Sequence, residues 1–319
     1  ARESGATSLQ SRCFGVLMVT PFFLMRFQLH FWLTSHFLIL WSLLIVVRYF
    51  KKKTISKLSC CSIIIISYMI NSYLLVMVLI LLFVPFLHLI NIKKINDALK
   101  LISVMFLTTF SSFLIFDFSK TSDSLYEKLR MSFTGEYSYF PSNLIAPFNP
   151  QVGYARKGEI FQLKNVPPYI TDNFSITKID FGGVRGNIDA YLYFGLGLLI
   201  LLVIAFRLLK INWSELRPLI TSRFGKLLII ICIFIWSYSV TYRLSLGNFE
   251  FSFEMPKVIR WSLSMFRSSG RFMWILSYIL FFLSLVLIVR YSSKRTASII
   301  IVGCLAIQLI DTGSVLVSR

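Results

Sequence analysis

What most limits this chain is a set of apolar stretches that contain no Asp, Glu, Lys or Arg. They cover residues 13–25, 35–47, 58–90, 101–116, 191–206, 227–242, 272–289 and 296–310. A helix of roughly 20 apolar residues crosses about 30 Å of hydrocarbon, because each residue rises about 1.5 Å. The 33 residues of 58–90 would make one helix of about 50 Å, too long for one crossing. Ser67, Asn71 and Ser72 sit at its middle, so it is expected to split near Asn71 into two short helices that form a hairpin. The expectation is an all-α, polytopic integral membrane protein with about nine membrane helices. The first is interrupted by Pro21 and ended by Arg26, although proline is better tolerated in membrane helices than in soluble ones.

Composition agrees. Hydrophobic residues make up 56% and charged residues 15%, with mean hydropathy +0.73. Soluble domains carry about 45–50% and about 25%. A pair of soluble domains is thereby excluded, and so is a disordered chain.

The formal charge of +19 is unevenly placed. Segments 51–57, 91–100, 207–226 and 290–295 hold 15 Lys/Arg against two acids, Asp97 and Glu215. The long loop 118–190 holds eight basic and seven acidic residues. Short basic loops stay cytoplasmic, so loops 118–190 and 243–271 are expected on the extracytoplasmic side. One 58–90 helix would put 51–57 and 91–100 on opposite sides, so the charge pattern favours the hairpin. Basic stubs of this kind anchor to membrane and do not form a nucleic-acid groove. The chain is therefore divided into N-terminal membrane helices (1–117), an extracytoplasmic loop region (118–190) and C-terminal membrane helices (191–319).

Loop 118–190 is expected to form a small mixed α/β cap. It has strand-like pieces at Glu159–Leu163 and Phe174–Phe181, with turn signals at Pro167–Pro168 and Gly182–Gly183. Loop 243–271 carries Arg260, Arg267 and Arg271. On a helix these three fall within about 40° of one face, and Ser268, Ser269 and Gly270 are the residues that would break such a helix. Guanidinium groups suit phosphate because their fork engages its oxygens in pairs. The competing reading is arginines snorkelling to lipid headgroups.

The uncharged interiors argue against an ion-coupled transporter or a proton relay. No metal-binding or cofactor-binding pattern is identified. The five cysteines, Cys13, Cys60, Cys61, Cys232 and Cys304, read as small buried hydrophobes. His30, His36 and His88 read as interfacial or packed histidines. The chain opens Ala-Arg-Glu, without Met, and reads as a piece of a longer protein.

Several motifs carry a resemblance: Pro21, Arg26, His30 and His36; Ser142-Asn-Leu-Ile-Ala-Pro-Phe-Asn-Pro150; Tyr193-Phe-Gly-Leu-Gly197; Phe266-Arg-Ser-Ser-Gly-Arg-Phe272; and Gln308-Leu-Ile-Asp311. Together they resemble a bacterial polytopic membrane family of unknown function, itself similar to membrane glycosyltransferases of the GT-C architecture. The likeness spans most of 20–311, and the arginine motif is its most specific part. Met273-Trp274-Ile275 departs from the Phe-Trp-Pro usual in that family. The resemblance implies a GT-C-like fold in the bacterial inner membrane and transfer of a sugar from a polyprenyl-phosphate donor to a cell-surface glycan. It also implies a catalytic acid upstream of Ala1, leaving no catalytic residue to name here. Arg267, Arg271 and Arg260 become the donor-phosphate clamp. Asp117, Glu136, Tyr137, Tyr139, Asn143 and Glu159 become acceptor or loop candidates. The alternatives from other classes are a lipid-linked glycan flippase or other transporter, and a non-catalytic or remnant membrane protein.

Overall fold

Asn71 sets a helix boundary by its own chemistry. Its backbone is extended, its N–H donates to the Ser67 carbonyl at 3.0 Å, and its side chain accepts from Tyr73 N–H at 2.9 Å. It therefore ends one helix and caps the next. In the computed structural model, which describes residues 5–29, 34–116, 144–148, 192–246, 249–263, 266 and 268–317, these helices are α3 (Lys57–Ile70) and α4 (Ser72–Asn91). They follow α1 (Ser8–Leu29) and α2 (Phe37–Lys52) and precede α5 (Ile95–Phe116). Beyond the long loop come α6 (Leu196–Ile211), α7 (Trp213–Thr221) and α8 (Arg223–Val240), then strands β1 (Arg243–Leu246) and β2 (Phe249–Ser252). Last come α9 (Lys257–Leu263), a 3-10 turn (Ser269–Phe272), α10 (Met273–Tyr291) and α11 (Lys294–Val317).

Each apolar stretch of the sequence coincides with helix over most of its length, and the fold is all-α apart from the β1–β2 hairpin. The count of about nine membrane helices is not reached among the described residues. Five helices are long and apolar enough to cross a bilayer: α4, α5, α8, the 3-10 turn with α10, and α11 through Thr312. A sixth is added if α6 and α7, bent by 92°, form one broken span. Two of the missing crossings have a physical cause. α2 has 16 residues and α3 has 14, so they rise only about 24 and about 21 Å.

Hydroxyls within these helices are satisfied locally. Ser67, Thr109, Ser112, Ser239, Ser277 and Ser284 each donate to the carbonyl four residues back, at 2.6–2.9 Å. That is how polar side chains are carried where water is absent. Large apolar side chains stay uncovered, including Phe106, Leu107 and Phe110 on α5 and Ile230, Ile233 and Phe234 on α8. Such contiguous apolar faces suit a lipid surround. The chain is thus a multi-pass membrane protein by helix length and composition.

Contacts divide the chain into two units that do not follow chain order. Unit 1 comprises Ala1–Met25, Phe133–Leu216 and Ile233–Arg319; unit 2 comprises Arg26–Ser132 and Arg217–Cys232.

In unit 2, α4 is central and packs on α2, α3 and α5. Leu74, Met77, Val78 and Leu81 of α4 are fully covered, as are Leu38 and Ile39 of α2 and Ile63 and Ile64 of α3. His88 of α4 hydrogen-bonds the Tyr49 hydroxyl at 2.8 Å and lies edge-on to Phe50 and Phe224. His88 is therefore a packed histidine, and it ties the ends of α2 and α4 together.

In unit 1, α6 is central and packs on both α10 and α11. Phe194, just before α6, meets Phe281 of α10 edge-on at 4.7 Å. α1 joins through the buried Gln10, whose Nε2 donates to the Lys294 carbonyl and the Ser298 hydroxyl, both at 3.0 Å. Arg290 pairs with Glu215. The expected cap in loop 118–190, with its strand-like pieces, lies outside the described residues except for the turn at 144–148.

Candidate functional site

Three sequence motifs, far apart along the chain, meet at the start of α6. Gly195, its N-cap, has φ +81°, a conformation open mainly to glycine. The first turn of any helix leaves N–H groups without partners inside the helix. Here side chains of α11 supply two acceptors. Asp311 Oδ2 accepts from Leu196 N–H at 2.9 Å and from the Tyr193 hydroxyl at 2.8 Å. Gln308 Oε1 accepts from Leu198 N–H at 3.2 Å. A carboxylate at a helix N-terminus also meets the positive end of the helix dipole.

Asp311 and Gln308 are both fully buried. The glycines of Tyr193-Phe-Gly-Leu-Gly197 allow the approach. A Cβ on Gly195 would overlap the Gln308 amide, and one on Gly197 would overlap the Cys304 carbonyl oxygen and lie 2.7 Å from Gln308 Cβ. Small residues at membrane helix interfaces permit this closeness. The third motif joins through Phe194 N–H, which donates to the Pro147 carbonyl at 3.1 Å.

Sequence reasoning grouped these motifs only as a resemblance and gave Asp311 no role. An acid directly after the apolar run 296–310, one helical turn from Gln308, is the signal that could have found it.

The arginine motif is built differently from the single helix considered above. α9 stops at Leu263, and residues 269–272 form a 3-10 turn that leads into α10. The Arg271 N–H donates to the Ser268 carbonyl at 3.2 Å. Arg260 and Arg271 therefore do not share one helix. The turn is sunk into unit 1: Ser268, Ser269, Gly270 and Phe272 are buried, and Arg271 is 7% exposed. Phe272 packs edge-on against Tyr238 and Phe266 at 5.2 and 5.3 Å, which holds the turn down. Arg271 is thus buried and does not stand at an open mouth.

Arg260 is half-buried and lines an open cleft of about 670 Å³, together with Tyr242, Ser252, Phe253, Glu254, Met255 and Pro256. The antiparallel β1–β2 pair, in the register Arg243↔Ser252 and Leu246↔Phe249, carries the chain into one wall of this cleft. The Phe253 N–H donates to the Tyr242 carbonyl at 3.1 Å and extends that wall past the strands. A guanidinium, a carboxylate and two hydroxyls on a partly aromatic wall can hold a polar, anionic ligand. Glu254 was not among the sequence candidates.

Arg267, Asp117, Glu136, Tyr137, Tyr139, Asn143 and Glu159 lie outside the described residues.

Ser269 gives a prediction. Its buried hydroxyl has no hydrogen-bond partner among the described residues. An unsatisfied buried hydroxyl costs about 1–3 kcal/mol. Ser269→Ala is therefore expected to raise the thermal midpoint of the detergent-purified protein or leave it unchanged, as read by tryptophan fluorescence.

A family match spans nearly the whole sequence: the family described as a domain of unknown function (DUF6311) matches residues 2–313. The chain belongs to this family. Comparison with curated proteins and with solved structures finds no match. Both the α6–α11 node and the arginine turn fall inside the DUF6311 region.

Proposed function

We propose that this chain is an inner-membrane glycosyltransferase, or part of one, that uses a polyprenyl-phosphate-linked sugar on the extracytoplasmic side. Its sequence resemblance to GT-C enzymes supports the reading, and the cleft at Arg260 is the single observation that carries it. In this reaction an acceptor hydroxyl oxygen attacks the anomeric carbon of the donor sugar. The new glycosidic C–O bond forms as the bond from that carbon to the phosphate oxygen breaks. The hydroxyl proton passes to a carboxylate, and polyprenyl phosphate leaves with its negative charge. Preorganised cations at that phosphate stabilise the transition state.

Arg260 opens on the cleft and is the first member of the clamp. Arg271 sits in the turn at the head of α10, and Arg267 lies between them in sequence. Glu254 shares the cleft with Arg260, and in this reading it orients the acceptor sugar.

Arg260→Ala is expected to lower sugar transfer on the order of a hundredfold, with the protein still inserted. The measurement is incorporation of labelled sugar from a polyprenyl-phosphate donor into glycan by membranes holding the variant. Unchanged incorporation refutes the clamp. Donor movement across proteoliposomes without new glycosidic bonds replaces the enzyme with a transporter.

Sidedness is tested separately. Ser268 and Ser269 are too buried to label, but Val258 is 75% exposed and Arg295 is also exposed. A membrane-impermeant thiol reagent on intact cells should reach Val258→Cys, and Arg295→Cys only after permeabilisation. The reverse pattern inverts the topology and removes this chemistry.

A further inference from the structure

Unit 2 ends in a concentrated basic surface. The Tyr49–His88 hydrogen bond at 2.8 Å fixes the last turn of α2 beside the last turn of α4. The two loops that follow, 53–56 and 92–94, therefore leave from the same end of the unit. Phe224 packs on Phe50 and His88 at 5.4 and 4.9 Å, bringing its neighbours Arg223 and Lys226 to that end as well. Lys51, Lys52, Lys53, Lys57, Lys93, Lys94, Lys100, Arg223 and Lys226 are all exposed there. Among the described residues of unit 2, Asp97 is the one acid, and it reaches Lys100 at 3.9 Å.

Within this surface, Lys93, Lys94, Ile95, Asn96, Asp97 and Lys100 line an open concavity of about 430 Å³. Exposed apolar side chains stand among the cations: Leu58, Ile92, Ile95 and Leu99. A site for a soluble anion has no use for that apolar fringe. A lipid has both parts, a charged headgroup for the lysines and acyl chains for the leucines and isoleucines.

We infer that the Lys93–Lys100 concavity binds the headgroup of an anionic phospholipid, with the remaining cations of this end drawing in the surrounding lipid. The inference is independent of the glycosyltransferase reading. Juxtamembrane lysines near an anionic leaflet each strengthen binding by roughly fivefold at low salt, so losing three should weaken it on the order of a hundredfold.

The test uses the full chain in neutral detergent with equimolar phosphatidylglycerol and phosphatidylcholine, and native mass spectrometry counts the lipids retained. The wild-type chain should retain the anionic lipid in large excess. Lys93→Gln/Lys94→Gln/Lys100→Gln should abolish that excess, while Arg290→Gln/Arg295→Gln in unit 1 should keep it. These side chains are exposed, and an unchanged thermal midpoint verifies that each variant is folded. Equal retention of both lipids by the wild type overturns the inference, as does an excess that survives the triple change. Equal loss in both variants overturns it too, since net charge alone would then be the cause. Glycerol phosphate leaves the apolar fringe unused and should displace the lipid only weakly; glycerol phosphate binding as tightly as the lipid overturns the assignment.

Discussion

Gly197→Leu is expected to destabilise unit 1 severely. The Cβ of any side chain at 197 would overlap the Cys304 backbone oxygen and lie 3.0 Å from Gln308 N. Both atoms belong to the backbone of α11 and cannot rotate aside. Relief requires moving α11 away from α6, which separates Gln308 and Asp311 from the N-terminus of α6. Overpacking alone costs about 1–3 kcal/mol, and the lost capping bonds add about 1–2 kcal/mol. The sum is a large fraction of the roughly 5–15 kcal/mol that holds a domain together. Size-exclusion profiles of the detergent-solubilised protein should show loss of the monodisperse peak. Gly303 lies on the same α11 helix with nothing near its Cβ position, so Gly303→Leu should keep the peak. A monodisperse Gly197→Leu protein would show that α6 and α11 are not this close.

Asp311→Ala carries the second large effect. The carboxylate oxygen that accepts from the buried Tyr193 hydroxyl and the part-buried Leu196 N–H is removed. Each hydrogen bond to the charged acceptor is worth about 1.5–3 kcal/mol, so a loss of about 3–6 kcal/mol is expected. Asp311→Asn keeps an acceptor oxygen at that place and loses only the charge assistance, so its loss should be about half as large. Tyr193→Phe should cost about 1 kcal/mol. In Asp311→Ala the Tyr193 hydroxyl has already lost this acceptor, so adding Tyr193→Phe should cost little more. Thermal midpoints of the four proteins form a double-mutant cycle. Strict additivity of the two losses would deny the Tyr193–Asp311 hydrogen bond.

Much of the helical framework could be read from the chain. The uncharged runs located the helices because a backbone in lipid must satisfy its own hydrogen bonds. Asn71 marked the division of 58–90, since an Asn side chain bonds nearby N–H groups more readily than it continues a helix. The count of about nine crossings is not reached among the described residues. An apolar run gives the extent of greasiness, whereas the helix that forms within it stops where capping and packing end it, as α2 and α3 do after 16 and 14 residues.

Less of the candidate site was legible. Arg260, Arg267 and Arg271 were grouped by helical spacing, but Ser268 to Gly270 turn the chain, so Arg271 is buried while Arg260 faces a cleft. Glu254 had no sequence signal, because a single acid in a loop acquires meaning only from the wall opposite it.

From its sequence alone, this chain was fixed as a lipid-surrounded helical protein with its cations gathered in short loops. Hydropathy and charge act locally and can be summed along a chain. Only the tertiary structure decided that Asp311 caps a helix 115 residues earlier in the chain, that two glycines exist to admit α11, and that two lysine-rich loops share one end of unit 2. Those facts depend on which segments become neighbours, and neighbourhood is set by the close fit of whole helices.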